Sequence, residues 1–249
     1  MTAQEVSVFA DLWGQAWMPY PLLSRPGSIS DEALDRLHAS IRDRIDKDPP
    51  RVLEEWARTS ILPDLRVEAL VSDPDRERNR DNKCMRINAV RRNDFGFVAV
   101  QHTDDTDAPS GDISVFSMEA VDLGAAIVAA LPALKVTKSR GDVRLPSHRP
   151  SESRSNSLYD AGSDVDPVND SSPLGEAVSA GFLQVREGRD AERRLERTAP
   201  RLVWSDYPEY GRYVFAGGVL KSVDSAGMQN CVNGMIGRMV SVIRERRGG

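Results

Sequence analysis

The feature that most constrains this chain is a unit of successive strands followed by one helix, which occurs twice. Near the C-terminus, Arg201-Leu-Val-Trp204 and Arg212-Tyr-Val-Phe215 are runs of β-branched and aromatic residues. Tyr207-Pro208 and Gly211 lie between them, the composition of a hairpin closed by proline and glycine. Gly217-Gly218 breaks the chain before a third run, residues 219–223. Asp224 is a good N-cap, and Met228, Val232, Met235, Ile236, Met239, Val240 and Ile243 recur at helical spacing, so one face of that helix can lie on the sheet. An earlier stretch repeats the plan: residues 64–71, 84–91, 95–101 and 112–116 read as strands, and 119–131 as the helix behind them. The junctions agree in residue type, Ser117-Met118-Glu119-Ala120 against Ser222-Val223-Asp224-Ser225. Each puts an acid where the positive end of a helix begins.

This duplication predicts an α+β fold: a central antiparallel sheet built from two quasi-repeated β-meander plus helix units, with additional helices at the N-terminus. A chain of 249 residues can bury a proper core. The expected organisation is an N-terminal half, residues 1–138, a flexible Ser-rich linker, 139–172, and a C-terminal half, 173–249, forming one globular domain with pseudo-two-fold symmetry. Residues 139–172 carry too few apolar side chains to offset the entropy of ordering them. Residues 173–181 read as a short helix carrying Leu174 and Val178, residues 182–185 as a strand, and 187–197 as an exposed charged stretch.

Ahead of the first unit, Val6, Phe9, Trp13 and Trp17 mark an amphipathic helix. Met18-Pro19-Tyr20-Pro21-Leu22-Leu23 should then run extended, because each proline lacks a donor and restrains the residue before it. Ser30 caps a second helix with Leu34, Leu37, Ile41 and Ile45 as its buried stripe, and Ile29 is placed to staple onto Leu34. Asp48-Pro49 opens a third, with Val52, Leu53 and Trp56 as its apolar face. Residues 72–82 are polar throughout and too long for a tight turn.

Composition excludes several functions. A net charge of −5 with both signs dispersed leaves no electrostatic footprint for nucleic acid. No run approaches a membrane span and no signal peptide is evident, so the expected location is the cytoplasm. Cys84 and Cys231 suit buried thiols in a reducing compartment, and the methionine neighbours of Cys231 do not favour a thiolate. His38, His102 and His148 show no metal-ligand spacing. Asp104, Asp105 and Asp107 could hold a hard cation, yet the glycine and distal glutamate of a calcium loop are missing, and a polar hairpin loop accounts for them. The glycines of Gly234-Met-Ile-Gly237 lie inside a helix and are expected to admit a close backbone neighbour. No cofactor motif or catalytic constellation emerges, so an enzyme is not expected. Asp206 and Arg212 flank a tyrosine-rich hairpin in which the aspartate fixes the turn and the arginine pairs across it.

At this hairpin the sequence resembles a known family. Trp204-x-Asp206-x-Pro208-x-x-Gly211-Arg212-Tyr213 is similar to the Asp-Thr-Pro-x-Gly-Arg-Tyr segment of the EspG family, the ESX (type VII) secretion-associated chaperones of actinobacteria. Tyr207 replaces the usual threonine and one residue is added before Gly211. Leu12-Trp13 with Met18-Pro19-Tyr20-Pro21-Leu22 is similar to the family's tryptophan helix and Pro-x-Pro-Leu segment. The resemblance implies a non-enzymatic cytosolic chaperone that binds the aggregation-prone helical tip of PE/PPE-type heterodimers before export. It also implies a partner surface to which Asp73, Arg76, Arg78 and Arg80 of the first strand-connecting loop contribute. Beside it, the residues themselves offer Met228, Met235 and Met239 of the last helix as soft contacts for such a tip, the alternative being that they pack on the sheet. The alternatives are a small ligand- or metal-binding enzyme-like domain using the acidic loop 104–107, and an interaction scaffold. Exposed sheet edges leave room for a homodimer.

Overall fold

The computed structural model describes residues 1–12, 18–24, 30–48, 50–72, 84–103, 111–138, 140–144, 174–188 and 200–248. Three helices come first: α1 (Ala3–Leu12), α2 (Asp31–Lys47) and α3 (Arg51–Ile61). The first meander is β1 (Leu65–Ser72), β2 (Cys84–Arg92), β3 (Phe95–Thr103) and β4 (Ile113–Glu119). A 3-10 turn then leads into α4 (Leu123–Ala130). β5 (Val143–Arg144) precedes the second meander, β6 (Ser179–Glu187), β7 (Arg201–Tyr207), β8 (Gly211–Ala216) and β9 (Val219–Val223), and α5 (Ser225–Gly248) closes the chain.

All nine strands form one sheet in the order β4-β3-β2-β1-β6-β7-β8-β9-β5, with every pairing antiparallel. The two meanders therefore meet through their first strands, Leu65 facing Glu187 and Ser72 facing Ala180. Each meander runs outward from that seam and returns a helix, α4 or α5, to the same face. The expected α+β duplication is what the chain forms.

Strand alternation sorts side chains onto the two faces. Val67, Ala69, Ile87, Val98, Leu183 and Trp204 lie under α4 and α5, with Leu123, Ile127, Val232 and Ile236 packing down onto them. The opposite face carries two separate apolar layers. One joins Phe9, Leu22, Ile41, Ile45, Leu53 and Trp56 of the N-terminal segments to Val90, Phe97 and Ile113. The other, at the far side, gathers Val143, Leu174, Tyr207, Tyr213 and Leu220. Between them the middle of the sheet is polar.

Glycine chemistry makes the turns. Gly217 and Gly218 both take positive φ, 58° and 79°, as a two-residue hairpin of mirror-image type requires. The helix caps are mostly where side-chain chemistry puts them: Ser30 accepts from the Ala33 N–H at 3.3 Å, and Asp224 accepts from the Gly227 N–H at 2.7 Å.

Several expectations are corrected. Pro19–Leu22 is a tight turn, with the Leu22 N–H donating to the Pro19 carbonyl at 2.9 Å, so this segment does not run straight. Asp48 closes α2, donating its N–H to the Arg44 carbonyl, and Pro50 is the residue that opens α3. Leu37 and Val52 are exposed, which narrows the apolar stripes of α2 and α3 to Ile41 and Ile45, and to Leu53, Trp56 and Ala57. Residues 174–178 make a turn and extended chain, and the strand begins at Ser179, because Gly181 must pass beneath the Trp204 ring: a Cβ there would meet Cζ2 at 2.3 Å. Gly234 and Gly237 meet no neighbouring backbone; the close approaches lie at Gly124, against Asn233, and at Gly188, against the Pro63 carbonyl. Trp13, Trp17 and Ile29, residues 73–83, Asp104, Asp105 and Asp107, 145–173 with His148, and 189–199 lie outside the described residues.

Candidate partner-binding surface

The motif hairpin is built as a structural joint. Asp206 on β7 and Arg212 on β8 are cross-strand partners on the helix-bearing face. Arg212 donates through Nε to Asp206 Oδ1 at 2.7 Å and through Nη2 to Oδ2 at 2.9 Å. The Ser179 hydroxyl donates to the same Oδ2 at 2.6 Å, and Arg212 Nη2 also reaches the Pro132 carbonyl at 3.2 Å. The guanidinium lies 5.8 Å from the Trp204 ring centroid. Both charged side chains are buried, 0 % and 9 % exposed, so this pair ties β6, β7, β8 and the end of α4 together out of water.

The turn itself is fixed from outside. Gly211 has φ of +84°, and its missing side chain leaves room for Val136, whose Cγ2 would stand 2.7 Å from a Cβ. The Thr137 and Lys138 N–H groups both donate to the Glu209 carbonyl, and Lys138 Nζ donates to the Glu209 carboxylate at 2.5 Å. On the other face Tyr213 donates to the Arg140 carbonyl at 2.6 Å and meets Tyr207 edge to face. Residues 132–138 thus hold the hairpin tip on one face of the sheet and 140–144 on the other, ending in β5. Val136 and Val178 are left exposed beside this tip.

The residues expected at the partner surface fall in two places. Asp73, Arg76, Arg78 and Arg80 lie outside the described residues, but the strands that carry their loop end at Ser72 and Cys84, which face each other. On α5 the burial is graded. Met228 is fully buried, Met235 is 8 % exposed, and both pack on the sheet with Val232 and Ile236. Met239 and Val240 are half-buried at the margin of that core, and Val242 is exposed. The large apolar side chains of this helix are therefore least covered at Met239, Val240 and Val242, while Ile243 is buried. At its far end α5 is held by Arg247, which donates to Asp64 at 2.7 Å, and by Arg246, paired with Glu187.

Asp64 also accepts from the Asn93 N–H at 2.6 Å. Partial burial works against its carboxylate, yet the Asn93 N–H and Arg247 outweigh that and hold it below the usual aspartate range. Tyr20 is the reverse case: burial first, then the nearby Glu68 charge, push its phenol up to about 12. Among the described residues no three His, Cys, Asp or Glu side chains are grouped to hold a metal ion. Cys84 and Cys231 are free thiols.

Sequence reading missed the polar strip at the centre of the second face, formed by Arg66, Glu68, Arg86, Asn88, Gln184, Arg186 and Arg201. The available signal was charge at alternate positions inside otherwise apolar strands, Leu65-Arg66-Val67-Glu68-Ala69 above all.

A duplicated antiparallel sheet with its charged motif residues engaged in a buried joint defines the class of the fold, an α+β protein of two meander plus helix units. The family model for EspG matches residues 2–220, and the chain belongs to the EspG family, chaperones associated with ESX, or type VII, secretion. No curated protein sequence matches it. Among the described residues no helix is long and apolar enough to cross a membrane.

Proposed function

We propose that this chain works in the cytoplasm as the dedicated chaperone of a PE/PPE-like helical heterodimer, covering its apolar tip and keeping it soluble until export. The observation that carries this reading is the family match over residues 2–220. The half-buried Met239 and Val240 beside exposed Val242 support it, because an adaptable apolar margin suits a helical tip. Asp73, Arg76, Arg78 and Arg80 would orient the partner by charge. Met239 is the methionine in contact, while Met228 and Met235 hold the helix in place from below. We read the chain as one domain of two halves, 1–138 and 173–249, joined by 139–172, since β1 and β6 pair across the halves.

The test is co-expression of the tagged protein with PE/PPE-like pairs from the same secretion locus, followed by size-exclusion chromatography. A stable ternary complex is expected with one of them. Elution free of every such pair would overturn the reading.

A further inference from the structure

The two ends of the sheet are finished differently. At the far side Val219 and Leu220 pair with β5, and the outward N–H of Ser222 is met by Asp142 Oδ1 at 3.3 Å, so β9 is covered by its own chain. β4 holds the equivalent place in the first meander, with Ser117 standing ahead of α4 as Ser222 stands ahead of α5. Among the described residues only the start of β4 is covered: the Ile113 N–H donates to the Met1 carbonyl at 2.7 Å, and the Met1 amino group donates to the Ile113 carbonyl at 3.1 Å.

That pairing fixes the geometry of what remains. Ile113 turns its backbone groups outward, so by strand alternation Val115, Ser117 and Glu119 do the same, while Ser114, Phe116 and Met118 bond to β3. No described residue meets the outward groups of Val115, Ser117 or Glu119. The free stretch stops there, because the Ala120 N–H donates to the Asp94 carbonyl at 2.8 Å and a 3-10 turn leads the chain away. The ladder with β3 runs without a bulge from Ile113 to Glu119, and β4 has neither lysine nor proline, the usual guards of an exposed edge. Apolar surface gathers at this edge. Phe116 on the α4 face and Phe95 on the other are the exposed aromatic residues among those described, and Val121, just past β4, is 79 % exposed.

An unguarded edge is completed by another strand, and this one is complementary to itself. Val115, Ser117 and Glu119 are evenly placed about Ser117, so a two-fold axis there sets Ser117 against the partner's Ser117 and Val115 against the partner's Glu119, and every outward group left free is bonded. Centring the axis on Phe116 instead would bring the partner's Glu119 to Ile113, where Met1 already sits. In the Ser117 register Phe116 lies against the partner's Met118 in a non-hydrogen-bonded pair, where side chains are closest, and a thioether suits an aromatic ring. We propose that β4 is a dimerisation edge that takes a second copy of this chain, joining two nine-stranded sheets into one about Ser117. The proposal rests on the edge alone and not on the chaperone reading.

The test is sedimentation velocity of the full-length chain by itself at rising micromolar concentration, with amide hydrogen exchange on the same samples. A monomer–dimer equilibrium is expected, with the Val115 and Glu119 amides gaining protection as the dimer forms. Ser117→Pro removes an N–H that serves no bond within the chain, so it should leave the circular dichroism spectrum unchanged, weaken the dimer by about tenfold or more and abolish the concentration-dependent protection. Should that variant fail to fold, Phe116→Ser changes an exposed side chain and serves the same comparison, while Val178→Ser at the far side of the sheet should leave the dimer intact. A monomer at every concentration, or a dimer that the β4 variants do not weaken, would overturn the proposal. Protection of Val115 and Glu119 that arises only when a different protein is added would give the edge to another occupant and overturn it equally.

Discussion

Asp206 and Arg212 stand opposite each other across the β7–β8 hairpin and share two parallel hydrogen bonds inside the protein. Because both ends are desolvated, the pair is worth far less than the damage done by removing one end, which strands the other charge in the core. Asp206→Asn is expected to cost about 3–5 kcal/mol. Replacing both residues with apolar side chains of similar volume should cost clearly less than either single change. Urea unfolding of the two single variants and the double variant checks this, and additive losses would contradict it.

Gly211 is constrained twice, by its backbone and by Val136. Gly211→Ala must place an L-residue at positive φ and push Val136 away, for a loss of about 1–3 kcal/mol. Adding Val136→Ala should return the steric part and leave the backbone part. A melting curve of the single and the double variant separates the two.

The two helices on the first face come closest at a glycine: a Cβ on Gly124 would sit 1.9 Å from Asn233 Oδ1. Gly124→Ala must displace the Asn233 side chain, so it should be less favourable in the wild type than in an Asn233→Ala background, where the higher helix propensity of alanine is free to stabilise. The coupling energy of that double-mutant cycle is expected to exceed about 1 kcal/mol.

Acid and alkali probe opposite signs. Asp64 has its carboxyl held below the ordinary value of 3.8, so it contributes stability that is complete above that value and lost as pH falls through the lower folded value. Asp64→Asn should flatten the acid limb of the stability profile and leave neutral pH dependence alone. Tyr20 is raised from 10.0 to about 12, so the unfolded chain ionises first and stability falls between those values. Tyr20→Phe should make the alkaline limb shallower. Denaturant titrations across both ranges read the slopes.

The gradient of burial along α5 predicts a split between stability and binding. Met235→Ala should cost about 2–5 kcal/mol through the cavity it leaves. Met239→Ala should cost much less stability and weaken the proposed complex with a PE/PPE-like pair by about tenfold, as loss of an apolar anchor does. Thermal melts and binding titrations of the same two proteins distinguish the effects.

Both meanders were legible because their strands alternate and are punctuated by Gly, Pro and Asp, and because an apolar stripe marks the helix that follows. β5 was not: two residues in a polar stretch show no periodicity, and they are a strand because β9 offers an open edge to pair with. Ser179-Ala-Gly181 was hidden for a different reason. Small residues have little strand propensity, and what extends them is the Trp204 ring that needs the space a glycine leaves. Asp48-Pro49 carries the signature of a helix start, but the preceding helix claimed the aspartate first. The methionine stripe of α5 was readable, while the depth of each methionine follows from where α5 lands on the sheet, which no local pattern encodes.

The seam between β1 and β6 has a consequence for synthesis. Glu68 and Gln184, neighbours across it, are separated by 116 positions in the chain. When the first meander has left the ribosome, β1 is its terminal strand, with one edge unpaired until β6 is made. Closure of the sheet is therefore a late, long-range event, of the kind that slows folding. A member of a chaperone family thus passes through a stage in which its own central edge is bare.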